Sequence, residues 1–143
     1  MAEQESLKRI LIMVSFGHFL TEHYSVILPP IFPLLITDLD IGYVKAGLLV
    51  TVYFGTYGVF QIFSGMLADR WSKKYTLILG MVLLSTGILL TGLSPNYYYM
   101  ILAQVIAGIG GSTYHPTGFG MLAARLGKRR LGLGMGVHGV FGS

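Results

Sequence analysis

Four long apolar runs, separated by short polar or charged stretches, make up most of this sequence of 143 residues. They lie at about residues 7–36, 44–68, 75–93 and 97–126, and a fifth run begins at about residue 131. A transmembrane helix takes roughly 20 mainly apolar residues, so each of the first four runs is long enough to span a bilayer and the fifth is too short. The pattern predicts an all-α membrane protein with four complete transmembrane helices and the start of a fifth.

Proline and glycine positions predict where these helices bend or pack. Pro29, Pro30 and Pro33 interrupt the second half of the first run, so we expect that helix to be kinked or partly unwound there. The third run has Gly80 and Gly87 as its only marks of close packing. We therefore expect the third helix to be the most lipid-exposed of the set.

Small residues of the second helix share one face. At 100° per residue, six positions lie within about 40° of one line along this helix. They are Gly47, Thr51, Gly55, Gly58, Ile62 and Gly65. Because helices in membranes pack through small residues, we interpret this line as a close-packing face.

The composition excludes an ordinary soluble domain. Apolar residues make up 53% of the chain and charged residues 11%, with a mean hydropathy of +0.67. Soluble domains carry about 25% charged residues. The sequence has no cysteine, which excludes a disulfide scaffold, a thiolate metal site and a thiol nucleophile. The formal charge of +4 comes from basic residues in short loops, which indicates membrane topology and not a nucleic-acid partner.

The basic residues predict the orientation in the membrane. Nine of the ten lysines and arginines lie before the first helix, after the second or after the fourth, and only Lys45 lies on the other side. Cytoplasmic loops carry the excess of lysine and arginine. We expect a multi-pass protein of the plasma (inner) membrane whose N-terminus is cytoplasmic.

Ionisable residues inside the first helix are the clearest candidates for function. A charge at mid-membrane costs about 2.5–3.5 kcal/mol on insertion scales and marks a substrate or ion pathway by default. Glu22 has that position, and a polar stripe runs through it within about 60° of His18. The stripe contains Ser15, His18, Thr21, Glu22, Ser25 and Pro29. We interpret His18 and Glu22 as parts of a substrate or proton pathway, and His23, off the stripe, as structural.

The fourth helix repeats this design. Gln104, Ser112 and His115 share one face with several glycines, while leucine and isoleucine lie opposite. Pro116 removes a backbone hydrogen bond directly after His115 and frees the Ser112 carbonyl. These three residues are predicted to join His18 and Glu22 in the pathway. His138, on the fifth helix, is interpreted as structural.

The loop between the second and third helices carries a dense cluster of charges. The segment Gly65–Lys74 reads Gly-Met-Leu-Ala-Asp-Arg-Trp-Ser-Lys-Lys and includes Asp69, Arg70, Lys73 and Lys74. This pattern resembles the signature loop of the major facilitator superfamily of secondary transporters. The resemblance implies that Gly65 and these four charged residues form a cytoplasmic gating loop.

Two further segments resemble the fosmidomycin-resistance-type branch of that superfamily. His18-Phe19-Leu20-Thr21-Glu22 is similar to its H-F-L-N-D, and Gly110–Pro116 is similar to its small-residue run ending F-H-P-E. The resemblance implies that residues 1–143 are the N-terminal part of a twelve-helix transporter whose first and fourth helices line a central cavity. It implies alternating access and proton-coupled export or antiport of small solutes, as in drug resistance. The implied partners are the bilayer, a small-molecule substrate, protons and the remaining helices.

Two other classes of function fit parts of this pattern. A helical membrane assembly protein without a substrate fits the glycine faces, but it has no use for Glu22 or the Asp69 loop. A membrane metalloenzyme built on His18, Glu22, His23 and His115 lacks the helical zinc motif spacings. His23 lies about 140° round the helix from His18, so these four residues are not expected to converge. We expect no enzyme activity, no cofactor and no metal site.

Overall fold

The computed structural model describes residues 2–142, together with their side chains except those of residues 2–4, 128 and 129. The described residues form helices and no strands, which confirms the predicted all-α fold. The helices are α1 (Ala2–Ser25), α2 (Phe32–Leu39), α3 (Tyr43–Arg70), α4 (Lys73–Gly92), α5 (Tyr97–Gly111), α6 (Tyr114–Arg125) and α7 (Lys128–Gly142).

The first predicted helix is broken at its prolines, as expected. α1 ends at Ser25, a 3-10 turn follows at Pro29–Ile31, and α2 begins at Phe32. Proline lacks the N–H that continues a helix, so a run of prolines ends the regular hydrogen bonding. α2 ends before Asp40, which has a φ of 49° in the left-handed region.

Three segments are long and apolar enough to cross a membrane. They are Glu5–Leu39, Tyr43–Arg70 and Lys73–Gly92, among the described residues. The predicted fourth helix is divided into α5, of 15 residues, and α6, of 12 residues. The division lies just before Pro116, which falls in the first turn of α6, where a backbone N–H has no intrahelical partner in any case.

α4 and α5 pack closely through glycines. A β-carbon on Gly80 would collide with Thr113, and one on Gly87 would collide with the backbone of Ala107. A β-carbon on Gly110 would collide in turn with the backbone of α4. The expectation that the third helix is the most lipid-exposed is wrong, because a larger share of its residues is buried than in the other two candidate spans. Because glycine has no side chain, two glycines are enough to let the backbone of α4 pack directly against that of α5.

The predicted packing face of α3 is open in the described chain. Gly47, Gly55 and Gly58 would accept a β-carbon with no atom within 4 Å, and Ile62 is 69% exposed. Gly65 is different, since its β-carbon would lie 3.7 Å from Cβ of Pro116. α3 is buried instead along another line, formed by Ala46, Leu49, Tyr53, Ser64 and Ala68.

α7 begins at Lys128, three residues before the predicted start, and packs along α1. α1 also contacts α6, and α6 contacts α7, so these three helices pack against one another. This arrangement brings the middle of α1, the start of α6 and the end of α7 together.

Candidate functional site

A cluster of three ionisable side chains lies where α1 meets α6. His18 and Glu22 are four residues apart on α1 and therefore share a face. Nε2 of His18 lies 3.5 Å from Oε1 of Glu22, and Nε2 of His115, from α6, lies 3.5 Å from the same oxygen. The side chains are 11%, 35% and 24% exposed, in the order His18, Glu22, His115. We refer to these three residues as the trio.

The expectation that the histidines and the glutamate do not converge is wrong for the trio. One ligand-type atom from each residue lies within 4.8 Å of the corresponding atoms of the other two. His23 is exposed and stays outside the trio, as the helical wheel predicts. The helical wheel of α1 gives the angle between His18 and His23 and does not give the direction from which His115 approaches.

Aromatic rings hold His18 in place. Its imidazole is stacked on the ring of Tyr114 at 5.3 Å between centroids and on the ring of His138 at 4.3 Å. The Tyr114 hydroxyl donates a hydrogen bond to the carbonyl of Val14 on α1, which fixes the tyrosine against the same helix. Gly142 lies so close to the imidazole of His18 that a β-carbon there would collide with it.

The protonation of His18 at Nδ1 follows from its hydrogen bond. Nδ1 lies 3.1 Å from the backbone carbonyl oxygen of His138. A carbonyl accepts and never donates, so Nδ1 carries the hydrogen. In the neutral ring Nε2 then has its lone pair directed toward Glu22.

A cavity of about 230 Å³ adjoins the trio. It is lined by Phe19, Glu22, His23, Val26, Phe141 and Gly142. His23 therefore borders the cavity with its ring stacked against Phe19 at 5.8 Å, although it was interpreted as structural. Glu22 is the member of the trio that the cavity reaches.

The comparisons with known proteins agree on one family. The model of the Major Facilitator Superfamily matches residues 14–143. The chain belongs to this superfamily. The predicted family is thereby confirmed, and it is a family of membrane transporters and not of enzymes.

Relatives within the superfamily include resistance proteins. The chain is 24% identical to the fosmidomycin resistance protein of Escherichia coli over 107 residues, which are 75% of this chain and 26% of that protein. It is 28% identical to the quinolone resistance protein NorA of Staphylococcus aureus over 94 residues, 66% of this chain and 24% of that protein. An uncharacterized MFS-type transporter of Bacillus subtilis, YhcA, is 25% identical over 131 residues, 92% of this chain and 25% of that protein. The chain spans about a quarter of the length of these relatives.

Gln104 and Ser112, also predicted for the pathway, lie at helix interfaces of this superfamily member. Gln104 is 1% exposed, and its side-chain nitrogen donates to the Thr91 hydroxyl of α4 at 2.7 Å. Ser112 is fully buried, with its hydroxyl 2.8 Å from that of Ser64 on α3. The structure therefore brings together three of the five predicted pathway residues and assigns the other two to contacts between helices.

The polar stripe of α1 is divided in the same way. Thr21 is buried and donates to the carbonyl of Gly17, one turn back. The Ser25 hydroxyl lies 2.9 Å from the hydroxyl of Tyr53 on α3. His18 and Glu22 are thus the stripe residues that meet α6, while Thr21 and Ser25 lie in packed interfaces.

The signature loop is short and exposed. α3 ends at Arg70 and α4 begins at Lys73. The Lys73 amine lies 2.9 Å from Oδ1 of Asp69, whose side chain is 74% exposed. Arg70 is exposed, and the Lys74 amine lies 5.8 Å from the centroid of the Tyr75 ring.

His138, predicted to be structural, lies directly against the trio. Its side chain is 1% exposed and stacks on His18, and both of its ring nitrogens lack a hydrogen-bond partner among the described residues. Buried polar atoms without partners are rare and call for an explanation. The sequence shows that His138 is a polar residue within an apolar run. A short apolar run does not indicate which other helix its side chains face.

Proposed function

We propose that this chain is the N-terminal part, residues 1–143, of a secondary transporter that moves small solutes by alternating access. One observation carries the proposal. His18 and Glu22 from the first transmembrane segment and His115 from the fourth converge beside a cavity, and ionisable side chains within membrane segments mark solute or ion pathways. The names of the resistance-protein relatives support export as the direction of transport. The partners of the site are a small-molecule substrate and the remaining helices of the transporter.

Proton coupling through Glu22 is the finer part of this proposal. A neutral carboxylic acid costs less at mid-membrane than a carboxylate, so Glu22 is a suitable group to carry a proton as the cavity changes sides. His18 and His115 each place a ring nitrogen 3.5 Å from the Glu22 carboxylate and are placed to share that proton. The test is uptake of a panel of small solutes into proteoliposomes with and without an imposed pH gradient, using the full-length protein.

The orientation supplies a first prediction. We propose that the N-terminus and the Asp69 loop face the cytoplasm, because the basic residues concentrate there. The turn at residues 94–96 joins α4 to α5 and lies at the opposite end of α4 from Ser72. An accessibility tag placed in that turn is expected to be labelled from outside intact cells, and a tag at Ser72 only after the membrane is opened. The reverse labelling pattern contradicts the orientation.

A second prediction concerns gating by Asp69. The resemblance implies that this carboxylate docks against a helix N-terminus in the other half of the transporter, and its 74% exposure leaves it available. A charge at a partly buried helix end contributes up to about 2 kcal/mol, or about 30-fold in an equilibrium. We expect Asp69→Asn to lower turnover by up to this factor and to leave solute binding nearly unchanged.

The control for Asp69 is Asp38→Asn, an exposed acid in α2. Turnover is measured in proteoliposomes and binding by equilibrium titration with a solute that the transport panel identifies. An equal loss of binding and turnover in the Asp69 variant argues against a gating role.

A further inference from the structure

We propose that His18, Glu22 and His115 form a binding site for a divalent transition-metal cation of the zinc class. This inference goes beyond the proposed transport function and does not rest on it. It concerns binding at the trio, whatever solute the protein moves.

The spacing of the donor atoms fits a tetrahedral ion. Two donor atoms that each lie about 2.1 Å from a tetrahedral metal ion are about 3.4 Å apart. Oε1 of Glu22 lies 3.5 Å from Nε2 of His18 and 3.5 Å from Nε2 of His115. One ligand atom from each of the three residues lies within 4.8 Å of the ligand atoms of the other two. The ligand nitrogens of the two imidazoles therefore need to approach each other by at most about 1.4 Å to reach the spacing of about 3.4 Å.

The same distances are long for ordinary hydrogen bonds. Protein N–H···O bonds are about 2.7–3.2 Å long, and bonds to charged groups lie at the short end of that range. The Nε2 atom of neutral His18 is an acceptor, as is the Glu22 carboxylate, because the His18 hydrogen is held at Nδ1. Two acceptor atoms that face each other at 3.5 Å can bind one metal cation between them.

His18 makes the hydrogen bond that is typical of metal-ligating histidines. Such histidines almost always donate their second ring N–H to a carboxylate, a backbone carbonyl or water, which fixes the ring orientation. His18 donates from Nδ1 to the carbonyl of His138 at 3.1 Å, and the flanking rings of Tyr114 and His138 hold its plane. His115 is oriented by ring contacts, at 6.1 Å to Tyr57 and 5.1 Å to Phe119.

The donor set selects the class of metal. Two imidazoles and one carboxylate suit zinc, cobalt, nickel, copper and iron, whereas magnesium and calcium prefer oxygen ligands alone. Three protein ligands leave a tetrahedral ion with one open position. The cavity of about 230 Å³ that reaches Glu22 gives room at the trio for water or a solute to take that position.

The test is titration of full-length protein in detergent with Co²⁺, whose four-coordinate complexes absorb visible light far more strongly than the hydrated ion. We expect one Co²⁺ per chain, displacement by one equivalent of Zn²⁺, and no displacement by excess Mg²⁺. Loss of an outer-shell partner typically costs 10–100-fold in metal affinity, so His18→Gln, Glu22→Gln and His115→Gln are each expected to cost at least about 100-fold. The control is Asp38→Asn, an exposed acid of α2 outside the trio and its cavity, which is expected to bind like the wild type.

A second measurement avoids dependence on the folding of any variant. X-ray absorption at the zinc edge of the wild-type protein is expected to show two imidazole nitrogens and one carboxylate oxygen at about 2.0–2.2 Å. An all-oxygen shell, wild-type affinity in the three trio variants, or no binding by the wild-type protein would each overturn the proposal. Metal binding without any response of transport to a pH gradient would support this site and contradict proton coupling. A response to the gradient without metal binding would support proton coupling and contradict this site.

Discussion

Replacing Glu22 by glutamine is expected to reduce pH-gradient-driven uptake to the level of liposomes without protein. Glutamine keeps the size and polarity of the side chain and removes the group that takes up and releases a proton. Solute-for-solute exchange needs no net proton movement, so exchange is expected to continue in the variant. The measurement is uptake in proteoliposomes under an imposed gradient, beside exchange without one.

The matched control for Glu22 is Asp38→Asn, which also removes a carboxylate but at an exposed position of α2. The control is expected to retain the full response to the gradient. Uptake that survives Glu22→Gln unchanged would remove Glu22 from the mechanism. Uptake that ignores pH in the wild-type protein would contradict proton coupling itself.

Gly87→Leu is expected to cause a large loss of stability at the contact between α4 and α5. The backbone of Ala107 occupies the space that a β-carbon on Gly87 would need, so a leucine must push α4 and α5 apart. Overpacking costs about 1–3 kcal/mol where side chains can adjust, and we expect the upper end here because backbone atoms are in the way. The measurements are the melting temperature and the monodisperse fraction in detergent.

Gly92→Leu is the matched control for packing, since it lies five residues later in the same helix with no atom within 4 Å of its added β-carbon. We expect its melting temperature to stay close to that of the wild-type protein. If the Gly87→Leu protein has the same melting temperature as the Gly92→Leu protein, the α4–α5 contact is more adaptable than the structure indicates.

Local patterns predicted the helices and the residue types of the site. The prolines at 29, 30 and 33 end α1 by chemistry that acts within one turn, so the sequence was sufficient to predict that break. His18 and Glu22 share a face of one continuous helix, and the 100° rule predicts such a pair directly. The superfamily was predicted from the Asp69 loop and confirmed by the match over residues 14–143.

The properties that the sequence could not predict depend on contacts between helices. Gln104 shares the predicted face of the fourth helix with His115, and its side chain donates a hydrogen bond to Thr91 of α4. Its place in the pathway stays a prediction. The glycines of α3 indicate a helix that can be approached closely, yet they do not specify that anything approaches within this chain.

The sequence by itself determined which segments are helical and apolar, where proline ends them, and which polar side chains share a face of one helix. Those properties depend on backbone geometry and residue chemistry within a few turns. The tertiary structure alone decided that His115 completes the trio and that His138 stacks on His18, because both rings come from helices distant along the chain. A helical wheel gives the direction of a side chain, and only the packing of one helix on another decides what lies in that direction.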